Sequence, residues 1–288
     1  MMAGLAHFPE VKQTFDEASL ALGEDLWKLV TEGPAETLNQ TAYTQPAMLA
    51  ADIATWRVYL AQGGEKPAVM AGHSLGEIAA LTAAGALDFA AAVKLTRFRA
   101  EAMQGAVPEG VGAMAAVLGL DDEAVRAVCA EAAQGEVLEA VNLNSPGQVV
   151  IAGHKAAVER GMALAREKGA KRALPLPVSV PSHSALMKPA AERLRAYLEN
   201  VGLRAPEIPV LHNADVAAYD DPARIKDALV RQLHSPVRWV ETMEALAAQG
   251  VERCVECGPG KVLAGLAKRI NDIPCIALVD EASLQSLK

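Results

Sequence analysis

Along the first hundred residues, apolar positions recur at helical spacing in short blocks punctuated by glycine and proline. FPEVKQTFDEAS and LGEDLWKLV read as two short amphipathic helices, and Gly33-Pro34 breaks the pattern. A longer helix is predicted from about Gln45 to Ala61, with Pro46 near its first turn and Gly63-Gly64 as its stop. PAVMAG then reads as an apolar strand entering Gly72. GEIAALTAAG reads as a helix, and Leu87 to Met103 as another whose polar face is basic.

From Gly112 the pattern changes. GAMAAVLGL reads as a strand, and Asp121-Asp122-Glu123 opens a helix to about Ala133 with carboxylates at its positive end. VLEAVNLN and QVVIAG are two strands around the turn sequence Ser145-Pro146-Gly147. His154 to Lys168 is a helix, and Lys171 to Leu176 a last strand. Strand–helix–strand–strand–helix–strand is the split βαβ order, so residues 109–178 are read as a small inserted domain. The α/β pattern then resumes with a helix from Pro189 to Asn200, a strand IPVLHNA and helices from Pro222 to Leu233 and from Trp239 to Ala248. A strand VERCVECG and a helix from Val262 to Ile270 follow. The expected fold class is α/β: residues 1–108 and 179–288 share one parallel-sheet core, into which 109–178 is inserted.

Composition narrows the function. The chain has 288 residues, about half of them hydrophobic, which is enough for a substantial core and excludes a disordered chain. Aromatic residues make up only 4%, so small and branched aliphatics must fill that core. A net charge of -8 argues against a general nucleic-acid binder. The four cysteines are no disulfide scaffold. Cys254 and Cys257 have C-x-x-C spacing without a second close pair, and all four are read as structural, with no metal site. No segment is apolar and long enough to span a membrane and no secretory leader is evident, so a cytoplasmic protein is expected.

The stretch that carries chemistry is GHSLG, a G-x-S-x-G nucleophile elbow at Gly72–Gly76. An apolar strand must turn sharply into a helix at Ser74, with Gly72 and Gly76 lacking side chains where strand and helix backbones approach. The turn exposes the hydroxyl and aims the first helical N–H groups, including that of Leu75, at the same place, where they can hold an oxyanion. Serine needs a base. Of six histidines, His183 follows the insert between a strand and a helix, and His212 follows a strand; both are candidate bases. His73 sits beside the serine at a tight turn and is expected to point elsewhere, and His154 to cap its helix or lie on the surface. No acid stands out as a third member, so a backbone carbonyl is an alternative support for the histidine.

GHSLGE, KLTRFRAEAMQ, VNLNSPGQVVIAG, LPVSVPSHSALM and ECGPGKVL follow one another in this order. With the phrase KRALPLPVSVPSH, they make the chain resemble the bacterial malonyl-CoA:acyl-carrier-protein transacylases of type II fatty acid synthesis from Met1 through at least Arg269. The resemblance implies an α/β-hydrolase-like core with a ferredoxin-like insert. It implies transfer of malonyl from coenzyme A to the phosphopantetheine thiol of holo acyl carrier protein through a malonyl-serine, with no bound cofactor. In this resemblance Ser74 is the nucleophile, His183 its base, Arg99 the grip on the malonyl carboxylate, and Leu75 one oxyanion N–H. Gln232 supplies the main-chain carbonyl that holds the histidine, and Asn142 and Asn144 match asparagines beside the cleft with no assigned role. A planar guanidinium suits a carboxylate because it meets both oxygens with parallel hydrogen bonds.

The family normally begins with a strand ending in a GQGSQ loop that supplies a second oxyanion contact, whereas this chain starts Met1-Met2-Ala3-Gly4. The expectation is a start at an internal methionine, and a chain of reduced stability and activity as written. The acidic carrier protein would dock on a local basic patch, for which Lys168, Lys171, Arg172, Lys188, Lys261, Lys268 and Arg269 are candidates. Three alternatives stand beside this reading: a serine hydrolase or thioesterase, a degenerate carrier-binding subunit without activity, and an acyltransferase of polyketide assembly.

Overall fold

The computed structural model describes residues 1–178 and 180–287. Ser179 and Lys288, the end residues of the second core segment assigned above, lie outside the described residues.

The chain opens with four helices, α1 (Pro9–Leu22), α2 (Leu26–Glu32), α3 (Ala35–Leu38) and α4 (Thr41–Ala61). β1 (Met70–Ala71), α5 (Leu75–Ala83) and α6 (Phe89–Gln104) follow. Next come β2 (Gly112–Leu118), α7 (Asp122–Ala133), β3 (Leu138–Ser145), β4 (Gln148–His154), α8 (Lys155–Glu167) and β5 (Arg172–Pro175). A 3₁₀ turn at Ala185–Met187 leads into α9 (Lys188–Glu199), β6 (Val210–Leu211), α10 (Pro222–Gln232) and α11 (Trp239–Ala248). β7 (Cys254–Cys257), α12 (Val262–Ile270), β8 (Cys275–Leu278) and α13 (Glu281–Gln285) complete the order. The architecture is α/β, with both parallel and antiparallel pairing.

Local chemistry accounts for many boundaries. The side chain of Asp121 accepts from Ala124 N–H at the start of α7, Asp88 accepts from Ala91 at α6, and Asp221 accepts from Ala223 at α10. The carboxylate of Glu256 on β7 reaches the Leu263 and Ala264 N–H groups, at 3.0 and 2.8 Å, and so satisfies the first turn of α12 from the neighbouring strand. Helix α4 begins before the expected Gln45, which places Pro46 inside it, where the ring removes one ladder bond without ending the helix. β8 and α13 were not anticipated, although PCIALVD does contain an apolar strand-like run.

The strands fall into three groups. β1 and β6, from either side of residues 109–178, pair in parallel through Met70↔Val210 and Ala71↔Leu211. β7 and β8 form a second parallel pair, with Cys254 opposite Cys275. The expectation of one shared parallel sheet is therefore corrected in extent: these are two separate two-stranded ladders, because ladder bonds join only these partners among the described residues. The remaining strands make an antiparallel sheet in the order β3-β4-β2-β5. Val125, Val128 and Cys129 of α7 and Ala157, Val158 and Ala165 of α8 pack in one cluster with its inward residues Val117, Leu143, Val149 and Ile151.

A larger core gathers α1, α4, α5, α6, α9 and α10 around Phe15, Leu49, Ile78, Leu95 and Leu194. The antiparallel sheet is fastened to this body through β3: Leu143 N–H donates to Val237 O and Val237 N–H to Val141 O, at 3.0 and 2.9 Å. No helix among the described residues is long and apolar enough to cross a membrane.

Candidate active site

The elbow forms where β1 meets α5. Ser74 occupies the N-cap position of α5 at φ 53° and ψ -108°, a conformation that an L-residue holds only when its surroundings enforce it. A Cβ on Gly72 would fall on the carbonyl of Gly76, so strand and helix can meet only with glycine at 72. Gly76 is different: a Cβ there meets open space, so the expectation that both glycines serve close approach is corrected for Gly76. As the first residue of α5, Leu75 has an N–H with no carbonyl one turn back to receive it.

Two buried groups converge on the Ser74 hydroxyl. His183 Nε2 lies 2.8 Å from Oγ, and Arg99 Nη2 donates to the same Oγ at 3.1 Å. His183 is 3% exposed, and its Nδ1 donates to the main-chain carbonyl of Gln232 at 2.7 Å. That bond puts the imidazole proton on Nδ1 and leaves Nε2 as acceptor for the serine O–H. Burial, then the neighbouring Arg99 cation, push the His183 pKa down to about 3, so the ring is neutral near pH 7.

Arg99, on α6, is 2% exposed. Its Nη1 donates to Gln45 Oε1 at 2.7 Å and its Nη2 to Gln232 Oε1 at 2.9 Å, while its Nε is buried with no partner among the described residues. No carboxylate lies within ion-pair distance of it among the described residues. Burial lowers its pKa to about 10, opposed by the charge of Glu77, and it remains a cation near neutrality. A buried guanidinium held only by neutral oxygens is a site for a small anion.

Behind these groups lies a network that the sequence did not announce. Asn213, fully buried after β6, accepts from Ser74 N–H at 2.7 Å and donates to Gly72 O at 2.7 Å, clamping both sides of the elbow. Glu77, 0% exposed, accepts from Asn213 N–H at 2.8 Å, Gln232 Nε2 at 2.9 Å and His212 Nδ1 at 2.6 Å. Gln232 Nε2 also donates to Ser74 O at 2.9 Å. The signal available was weak: Glu77 reads as a favourable first-turn acid and Asn213 as a turn residue.

Ser74, His183, Arg99, Leu75 and Gln232 are thus brought together. His212, the other candidate base, is not: its Nδ1 is engaged by Glu77 and its Nε2 has no partner among the described residues. His73 engages Asn144, with Nε2 2.8 Å from Oδ1, so it ties the elbow to β3. Asn142, on the same strand, is buried. His154 precedes α8 and accepts from Val137 N–H through Nδ1. Burial raises the Cys129, Cys257 and Cys275 thiols to about 12, which keeps them protonated and poorly nucleophilic.

Residues 6–273 match the family described as the acyl transferase domain. The malonyl CoA-acyl carrier protein transacylase of Escherichia coli K12 is 57% identical over 284 residues, covering 98% of this chain and 92% of its own length. The crystal structure of an acyl-carrier-protein S-malonyltransferase from Burkholderia pseudomallei superposes with a TM-score of 0.98 at 57% identity, covering 99% of this chain and 94% of that one. A malonyl-transacylase solved in complex with a type II polyketide acyl-carrier protein gives 0.98 at 54% identity, covering 99% and 93%. A strained serine with a buried imidazole on its hydroxyl, on a chain matched so closely along nearly its whole length, leads to one assignment: the chain belongs to the acyl transferase family.

Proposed function

We propose that this enzyme moves the malonyl group from malonyl-CoA to the phosphopantetheine thiol of holo acyl carrier protein, as a step of fatty acid synthesis. The observation that carries the reading is the pairing of two contacts on one atom. Ser74 Oγ meets a neutral imidazole at 2.8 Å and a buried guanidinium without a carboxylate partner at 3.1 Å. A nucleophile with its base, beside an anion site, suits an acyl group that ends in a carboxylate. The names of the transacylases that it resembles support the same substrate.

In this scheme His183 Nε2 takes the proton from Ser74 as Oγ attacks the thioester carbonyl of malonyl-CoA. The carbonyl electron pair becomes an oxyanion held by Leu75 N–H. Collapse breaks the C–S bond, and coenzyme A leaves with the proton from His183. The carrier's thiol then gives its proton to His183 and attacks the malonyl ester, the C–O bond breaks, and Ser74 regains its proton. Arg99 orients the malonyl carboxylate throughout. That carboxylate, once seated, offsets the Arg99 charge, one of the influences that depress His183 beside burial, so docking of the correct acyl group itself raises the basicity of the ring. The scheme calls on no metal or redox cofactor and goes with a cytoplasmic location.

Finer points of the fold belong to the same proposal. Residues 109–178 form a ferredoxin-like insert in an α/β-hydrolase-like core; the strand order β3-β4-β2-β5 and the parallel pairing of β1 with β6 across that insert support this. The carrier is proposed to dock on a local basic patch including Lys171, Arg172 and Lys261, all exposed. Turnover with malonyl-CoA and holo carrier as varied substrates tests the function: parallel ping-pong lines are expected, and a sequential pattern would count against the malonyl-serine. A KM for the carrier that rises with salt supports the patch, and one that is flat across a wide range of salt removes it.

A further inference from the structure

The side chain of Gln232 sits between the two buried charges of the site. Its Oε1 accepts from Arg99 Nη2 at 2.9 Å, and its Nε2 donates to Glu77 Oε2 and to Ser74 O, both at 2.9 Å. The two acceptors on the Nε2 side fix the direction of the amide. Turned over, its N–H₂ would face the guanidinium and its oxygen would face a carboxylate and a carbonyl. Glu77 is held in turn by His212 and Asn213, so it cannot swing toward Arg99 without breaking both of those bonds. Arg99 meanwhile keeps in the interior an Nε without a partner among the described residues, and a field from Glu77 that favours its charged form.

We propose that the Gln232 amide is a neutral spacer that separates Arg99 from Glu77, and that this separation, as much as Arg99 itself, sets the preference for acyl groups ending in a carboxylate. In contact, the guanidinium and the Glu77 carboxylate would form a closed ion pair, and a substrate carboxylate would have to displace it. One amide apart, Glu77 still sustains the positive charge of Arg99 but leaves its hydrogen-bond donors to neutral oxygens, which a carboxylate outcompetes. Gln232 therefore acts at two points: its main-chain carbonyl holds His183, and its side chain keeps the cation open. The inference rests on the malonyl-transfer reading above and adds a specificity-determining pair to it.

The test replaces the spacer with a carboxylate of the same shape. In Q232E an acid meets Arg99 directly, but it also faces Glu77, which endangers folding. The exchanged pair E77Q/Q232E keeps the net charge and removes that repulsion, since the amide introduced at position 77 can donate to the new carboxylate. Acylation of Ser74 by malonyl-CoA and by acetyl-CoA is timed by intact mass in wild type and both variants, with melting recorded alongside. Any damage to the base lowers both rates together and leaves their ratio unmoved. Quenching of Arg99 lowers the malonyl-to-acetyl ratio by about 30-fold or more, the scale of losing charge-assisted hydrogen bonds. A ratio within about threefold of wild type in the folded exchanged pair, well short of the loss those charged bonds imply, overturns the proposal. Wild type that takes no malonyl group would instead remove the functional reading beneath it.

Discussion

Replacing Asn213 with alanine removes the clamp from the elbow without touching the serine, its base or the arginine. The variant leaves Ser74 N–H and Gly72 C=O without the partners they now hold at 2.7 Å each. Each unpaired buried group costs about 1–3 kcal/mol, or about 2–6 kcal/mol for the two. Part of this is offset, because the elbow is then free to relax from φ 53° and ψ -108° at Ser74, a strain of about 1–3 kcal/mol. A net loss of about 2 kcal/mol corresponds to a fall in melting temperature of about 4–8 °C for a chain of this size. Relaxation carries Oγ away from His183 Nε2, and misplacement on the order of 1 Å costs about 100-fold in rate. N213A is therefore expected to melt several degrees lower and to load malonyl about 100-fold more slowly. Thermal melting and a malonylation time course measure both. An N213A protein that melts with wild type and loads at the wild-type rate would refute the idea that Asn213 maintains the strained serine.

The two elbow glycines should behave differently under the same substitution: G72A drives a methyl group into the Gly76 carbonyl and is expected to cost about 1–3 kcal/mol together with most activity, whereas G76A is expected to fold and melt like wild type, as judged by thermal melting. The pH profile follows from the two depressed pKa values. His183 ordinarily titrates near 6.5 but near 3 when folded, so its neutral form is stabilised by the fold; stability is complete above about pH 6.5 and falls toward pH 3 by up to about 1.4 kcal/mol per pH unit. Acid unfolding of H183Q should lack this component, and overlapping curves for the two proteins would contradict it. Arg99 loses its proton as pH rises through about 10, so the preference for malonyl over acetyl should decline in that range, as measured by competing the two thioesters.

The sequence was most informative where a local rule acts alone. The strand–helix–strand–strand–helix–strand order from Gly112 to Pro175 was legible in alternating periods and in Asp121, whose capping bond is present. The elbow followed from a strand pattern running into GHSLG. Helix α11 has the bounds its pattern predicted, Trp239 to Ala248. Strand length was overestimated, because PAVMAG and the IPVL of IPVLHNA are apolar runs that pair over only two residues each, and pairing depends on the partner strand. The choice between His183 and His212 lay beyond the reach of spacing. Both follow short apolar segments, and only the fold sets one against Ser74 and the other against Glu77. Asn213 and Glu77 were missed for the same reason. The bonds that give them a role span 139 residues to Ser74 and 136 residues between themselves, and locally they look like a turn residue and a helix-start acid. The resemblance supplied the Gln232 carbonyl, whereas its side-chain amide acquires meaning only beside Arg99.

The central claim is that Ser74 accepts the malonyl group because His183 activates it and Arg99 seats the carboxylate. Intact mass after brief exposure to malonyl-CoA tests it most directly, with S74A and R99A alongside and acetyl-CoA as the control donor. The account predicts one malonyl adduct on the wild type, none on S74A, and an R99A protein in which the advantage of malonyl over acetyl is gone. A folded wild type that remains unmodified, or an adduct that survives in S74A, would contradict it.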